Sequence, residues 1–247
     1  MPVSSKANPQ FQSFLSLTKS KGLKEEGQFL LSGDALISEF LRKPHLPIVS
    51  EILTEKMSRR TSHSQTKPLV LSSELFRQID ALGTDAPILV LQQPKILTWK
   101  ALPSSKGLTL LCPLGDPTNL GALARSAEAF GVQNFVLLQE AAHPFLPKSV
   151  KSSAGSITRL TLHRGPSLRE LAALNLFPLV GLDMRGESLG KFTWPENVYL
   201  LVGEEGAGLP QIPKMKIISI PTQTVESLNA TVAASLALYD YRLKFFD

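Results

Sequence analysis

Val198-Tyr199-Leu200-Leu201-Val202-Gly203-Glu204-Glu205-Gly206-Ala207-Gly208 runs from five apolar residues into three glycines and two carboxylates. The apolar run is too short for a helix and predicts a strand buried on both faces. Glycines at its end let the backbone approach a ligand closely. Further along, Ile217-Ile218-Ser219-Ile220-Pro221 repeats the pattern. Glu226-Ser227-Leu228-Asn229 then opens a long helix, where side-chain oxygens and unpaired N–H groups are on offer. Two such strands predict a small-molecule pocket at strand ends.

Working outward, strands are predicted at 108–112, 134–138, 159–162, 178–182, 198–202 and 216–220. Helices are predicted at 119–130, 147–153, 167–174 and 227–245. Strands alternating with helices imply an α/β fold with a parallel sheet covered on both faces. Ligands of such sheets bind outside the carboxyl ends of the strands. Residues before 93 also alternate, with strands near Phe29-Leu30-Leu31, Ile48–Leu53, Leu69-Val70-Leu71 and Ile88–Leu91. Helices are expected through Phe11, Phe14, Leu15 and Leu17 to near Lys21-Gly22, after Ser32-Gly33-Asp34 and over Ser72–Leu82. Pro94, Pro103 and Ser104-Ser105-Lys106-Gly107 mark a boundary, which gives a small domain at 1–98 and a larger one at 107–247.

The chain has 247 residues, 43% hydrophobic and 19% charged, as expected for a soluble globular protein. No apolar run approaches the roughly 18 residues of a membrane span, and Met1–Lys6 lacks the apolar core of a secretory signal. A cytoplasmic protein with no membrane partner is expected. The single cysteine, Cys112, excludes an internal disulfide, and its apolar run predicts a buried, inert thiol. His45, His63, His143 and His163 show no metal-ligand spacing, so no metal site is expected. Of the net charge of +5, residues 1–100 carry most, with 13 Lys and Arg against 9 Asp and Glu. A basic first part fits contact with a polyanion, though a solvated surface would look the same.

Asn119 opens a predicted helix, where it could serve only as a cap. Arg125, on the same mostly apolar helix, suits either a surface ion pair or a grip on phosphate. The turn after Val202 has no G-K-[ST], and its glutamates repel a pyrophosphate. It suits ammonium, sulfonium or hydroxyl groups better.

Asn119-Leu120-Gly121 with Arg125, then Gly203-x-Glu205-Gly206-x-Gly208, then Ile220-Pro221 with Glu226-Ser227-Leu228-Asn229 resemble the three ordered motifs of the SpoU/TrmH family. Lys151-Ser152-Ser153-Ala154-Gly155 resembles the small-residue segment between the first two. More weakly, Ser5-Lys6-Ala7-Asn8-Pro9 and the helix after Ser32-Gly33-Asp34 resemble an L30e-like RNA-binding domain. The resemblance implies a SPOUT fold with a trefoil knot, a homodimer with sites drawing on both subunits, and S-adenosylmethionine as cofactor. It implies methylation of a ribose 2′-hydroxyl in structured RNA, with rRNA expected ahead of tRNA. A catalytically weak knotted RNA-binding protein is the other reading. Carried over, Asn119, Arg125, Glu205, Ser227 and Asn229 form the catalytic cluster. Leu179, Gly181, Gly203, Ile220 and Leu228 lie at the cofactor. The chain departs from the family pattern at Thr222-Gln223-Thr224-Val225, where Met-x-Gly and one further residue are usual. It also has Ser32-Gly33 where relatives often carry Glu-Gly.

Overall fold

The computed structural model describes residues 2–59, 67–100, 107–174, 176–203 and 208–245. The chain forms two compact units: residues 1–94 with 143–158, and residues 95–142 with 159–247.

In the first unit, α1 (Pro9–Ser16) starts where Asn8 Oδ1 accepts from Phe11 N at 3.0 Å and Pro9 presets the first turn. It buries Phe11 and Phe14. α2 (Ser20–Glu26) ends at Gly27, whose φ of 64° is the left-handed cap that glycine adopts at little cost. There follow β1 (Gln28–Ser32), α3 (Asp34–Arg42), β2 (Ile48–Thr54), β3 (Leu69–Leu71), α4 (Ser73–Ile79) and β4 (Ile88–Gln92). The sheet order is β1-β4-β2-β3, with β4 antiparallel to both neighbours and β2 parallel to β3.

The second unit holds β5 (Leu97–Thr98), β6 (Leu108–Cys112), α5 (Pro117–Ala129) and β7 (Asn134–Leu137). The chain then returns to the first unit through α6 (Pro147–Ser152). It resumes in the second with β8 (Leu162–Arg164), α7 (Leu168–Leu171), β9 (Leu179–Ser188), β10 (Val198–Leu201), β11 (Lys216–Ser219) and α8 (Ala230–Phe245). These strands make a seven-stranded sheet ordered β11-β9-β10-β6-β7-β8-β5, parallel at every pair. This is the α/β parallel sheet that the alternation predicts. Every residue of β6 and β10 is buried, so both faces are covered. Leu111, Val136, Leu171, Tyr199 and Leu201 form one core. α5 and α8 pack together, with Ser235 Oγ donating to Ser126 Oγ at 2.7 Å.

The division differs from the single cut expected between 98 and 107. Residues 143–158, including Lys151–Gly155, fold with the first unit because their apolar side chains find cover there. Phe145 is fully buried with its ring 5.1 Å from Phe29, and α6 packs on β1. Thr158 Oγ1 lies 2.9 Å from His45 Nε2 and donates to Gly155 O. β8 accordingly starts at Leu162 rather than at 159, after a short helical turn at Ser156–Thr158. α8 begins at Ala230, three residues beyond the expected start.

Candidate functional site

β9 shapes the site. Its pairing with β11 jumps from Ile217 opposite Gly181 to Ile218 opposite Glu187, so residues 182–186 fall between two successive pairs. That irregularity carries the strand past its expected end. A cavity of about 630 Å³ lies beside this irregular stretch in the middle of β9, at the carboxyl ends of β10 and β11. The volume is in the range of small-molecule sites, which run from roughly 300 to 1,000 Å³. Leu182, Asp183 and Met184 line one side, with Val202, Gly203 and Gly208 beside them. Ile218–Ile220 and Glu226–Ala230 complete the wall. A side chain at Gly203 would place its Cβ 3.2 Å from the Leu182 carbonyl oxygen, a tight contact that glycine avoids.

Five expected residues meet here: Gly203, Ile220, Ser227, Leu228 and Asn229. Asn119 joins them through a hydrogen bond. Asn229 Nδ2 donates to Asn119 Oδ1 at 3.3 Å, and Thr231 Oγ1 donates to the Asn119 carbonyl at 3.0 Å. Asn229 also caps α8, its Oδ1 accepting from Thr231 N at 2.9 Å and Val232 N at 3.4 Å. Asn119 does not cap α5. Asp116 does, accepting from Thr118 N and Asn119 N at 2.8 Å each, which releases the Asn119 side chain toward Asn229. An Asp-Pro pair ahead of an apolar helix is the signal that identifies this cap.

Arg125 is exposed six residues along α5 from Asn119, about 9 Å farther down the axis. It does not line the cavity and makes no hydrogen bond or ion pair to a described residue. Glu205 lies outside the described residues. Leu179 and Gly181 sit within the sheet, paired with Tyr199 and Leu201, and do not line the cavity. Leu182, Asp183 and Met184 stand there instead, displaced by the extension of β9. The 222–225 loop closes on itself, Thr222 Oγ1 donating to Val225 O at 2.7 Å, and does not line the cavity.

Among the described residues the cavity wall carries two carboxylates, Asp183 and Glu226. Asp183 Oδ1 accepts from Arg185 N and Nε at 3.0 Å each, and Oδ2 from Arg185 Nη2 at 3.3 Å. The Arg185 side-chain hydrogen bond holds the Asp183 carboxyl below the usual carboxylate range. Such a wall favours a ligand with an apolar ring and a positive charge. Among the described residues no group of three or more His, Cys, Asp or Glu could hold a metal ion. Among them, too, no helix is long and apolar enough to cross a membrane. Burial pushes the Cys112 thiol up to about 12, which leaves it protonated and unreactive.

The chain is similar to Ribosomal RNA small subunit methyltransferase G 2 of Syntrophobacter fumaroxidans, with 34% identity over 241 residues. That match covers 96% of this chain and 48% of the relative, so the chain spans about half of that protein's length. The 23S rRNA (guanosine(2553)-2'-O)-methyltransferase RlmP of Bacillus subtilis is 28% identical, covering 97% of this chain and 98% of its own. Among solved structures, the SpoU methyltransferase AviRb of Streptomyces viridochromogenes, in complex with the cofactor AdoMet, aligns with a TM-score of 0.76 and 25% identity. That alignment covers 96% of this chain and 98% of AviRb. The model of the SpoU rRNA methylase family matches residues 108–239, more than half of the sequence, and the chain belongs to that family.

Proposed function

We propose that the chain transfers a methyl group from S-adenosylmethionine to a ribose 2′-hydroxyl of structured RNA, with rRNA as substrate and the cytoplasm as its compartment. The observation that carries this reading is the cavity at the ends of β10 and β11 beside the middle of β9, rimmed by the Asn229–Asn119 hydrogen bond, in a SpoU family chain. The names of the relatives support it: RlmP is a 23S rRNA 2′-O-methyltransferase, and AviRb holds AdoMet.

The cavity suits that cofactor. Leu182, Ile218 and Leu228 offer apolar surface for an adenine, Gly203 leaves its backbone bare, and Glu226 favours a cation, Asp183 being paired with Arg185. When bound, S-adenosylmethionine supplies a sulfonium methyl whose leaving group is neutral. The protein therefore has to orient the ribose and remove one proton. Backbone groups of Gly203, Ile220 and Leu228 hold the cofactor. Asn119, Ser227 and Asn229 position the ribose. Glu205 orients Arg125 or accepts the hydroxyl proton. Arg125 grips the phosphate beside the target ribose, because a guanidinium with a pKa above about 12 is a poor base.

Arg125 is exposed on its own chain, which fits entry into the site of a second copy. Val232, Leu236, Tyr239 and Leu243 leave an exposed apolar stripe along α8 at helical spacing, and a homodimer would cover it. Leu236→Glu should then turn a dimer into a monomer in sedimentation; a wild-type monomer would remove this part of the proposal. The first unit, basic and resembling L30e-like domains, serves RNA binding, and the trefoil knot belongs to the same reading. The test is incubation with labelled S-adenosylmethionine and separated rRNA and tRNA. Label in rRNA supports the proposal. Label in tRNA alone changes the substrate. No label and no donor binding in calorimetry ends it.

A further inference from the structure

A second cavity, of about 530 Å³, adjoins the first through one shared residue, Asp183. Its floor is apolar, formed by Leu209, Ile212, Met215 and Ile217, and Arg185 stands at its wall. Asp183 grips the guanidinium from the side, through Nε and Nη2. A guanidinium has five N–H donors in a fixed fork, and this grip uses two. The remaining donors lie on the outer edge, in the arrangement that takes two oxygens of a phosphate. The Arg185 side chain is 85% exposed, so a ligand can reach it. The segment 209–221 carries Lys214 and Lys216, both exposed, and no acidic residue. Among the described residues lining this cavity Asp183 is the one carboxylate, and Arg185 pairs with it; Lys214 and Lys216 add positive charge nearby, and Glu187 lies two residues beyond Arg185 on β9.

We infer that this second cavity is an RNA phosphate site, which seats a nucleotide next to the methylated ribose, with Arg185 as its anchor and Asp183 as a positioning residue. The inference rests on the RNA reading of the first cavity and adds a substrate contact to it. Asp183 faces both cavities, so one carboxylate fixes the guanidinium on one side and borders the methyl donor on the other. A lysine at 185 would keep the charge and lose the fork. A neutral residue at 183 would leave the charge and free its orientation.

The experiment is filter binding of in vitro-transcribed 23S rRNA to the full chain over a range of salt concentrations, with donor affinity measured separately by calorimetry. Arg185→Ala should lower the slope of log affinity against log salt by about 1, the loss of one phosphate contact. Donor affinity should stay within about twofold, a change of well under a tenfold step. Arg185→Lys should keep the slope while binding more weakly than wild type. Simple charge arithmetic predicts tighter RNA binding for Asp183→Asn; the positioning role predicts no gain. Wild-type slope and affinity in Arg185→Ala overturn the inference, as does equal loss of RNA and donor binding. If the wild type binds rRNA without methylating it, the proposed reaction fails while the salt slope still decides the phosphate site. A wild type that binds no RNA overturns both.

Discussion

Asn229 does two jobs with opposite ends of one amide, and two substitutions separate them. Its Oδ1 caps α8 through Thr231 N and Val232 N, while its Nδ2 reaches Asn119 on α5. Asn229→Ala removes both. Losing the cap costs about 1 kcal/mol, which lowers Tm by roughly 2–4 °C in a chain of this size. Asn229→Asp keeps the cap acceptor and adds a negative charge at the helix start, which favours the helix by about 0.3–1 kcal/mol. Its Tm should equal or exceed that of the wild type. An aspartate cannot donate to Asn119 Oδ1, however, so the α5 side keeps a tie only by turning the Asn119 amide over, which changes the geometry of the site. Thr231 Oγ1 still bonds the Asn119 carbonyl, so the helices stay docked and only the amide geometry loosens. Misplacement by about 1 Å costs on the order of a hundredfold in rate. Thermal melts and methyl transfer at saturating RNA and donor would read both effects. A fully active Asn229→Asp, or an Asn229→Ala with unchanged Tm, would refute the reasoning.

Phe145→Ala should cost about 3–5 kcal/mol, the range for emptying a fully buried phenylalanine site. The damage should appear as faster amide exchange in β1, which carries Phe29, with β6 and β10 unchanged; the reverse pattern would place residues 143–158 in the other unit. By the same logic, deleting residues 1–94 uncovers Phe145, Val150 and Ile157, so the remainder should aggregate rather than keep donor binding. A soluble, donor-binding fragment would contradict this. Gly203→Ala should weaken donor binding in calorimetry, because the new Cβ crowds the Leu182 carbonyl; unchanged affinity would show that the strand end yields freely. For Cys112, the folded thiol titrates near 12 against an ordinary 9.0. The unfolded chain therefore loses its proton first, and stability that is constant below pH 9 should fall as pH rises toward 12. Disulfide reagents should modify the thiol only on unfolding, and rapid reaction in native protein would contradict its burial.

Much of the sheet was legible because its strands are short apolar runs that end in glycine or proline. The predicted 108–112, 198–202 and 216–220 nearly coincide with β6, β10 and β11. β9 was legible only to Leu182, since Asp183-Met184-Arg185 reads as a polar loop. Its continuation depends on a register irregularity with β11, a strand nearly thirty residues away, which no local pattern encodes. The cofactor-side expectation of Leu179 and Gly181 shifted to Leu182–Met184 for that reason. Phe145, Val150 and Ile157 were recognisable as apolar, but apolarity says that a side chain is buried, not which unit buries it. The Asn229–Asn119 pairing brings together residues 110 positions apart, and only the family resemblance had grouped them.

The central claim is that the cavity at the ends of β10 and β11, beside the middle of β9, serves methylation of a ribose in rRNA. Mass spectrometry of nuclease-digested rRNA, after reaction with labelled S-adenosylmethionine, tests it most directly. The account predicts label on a 2′-oxygen of one nucleotide, lost in Asn229→Asp. Label on a base, or no label in rRNA from a protein that binds the donor, would contradict it.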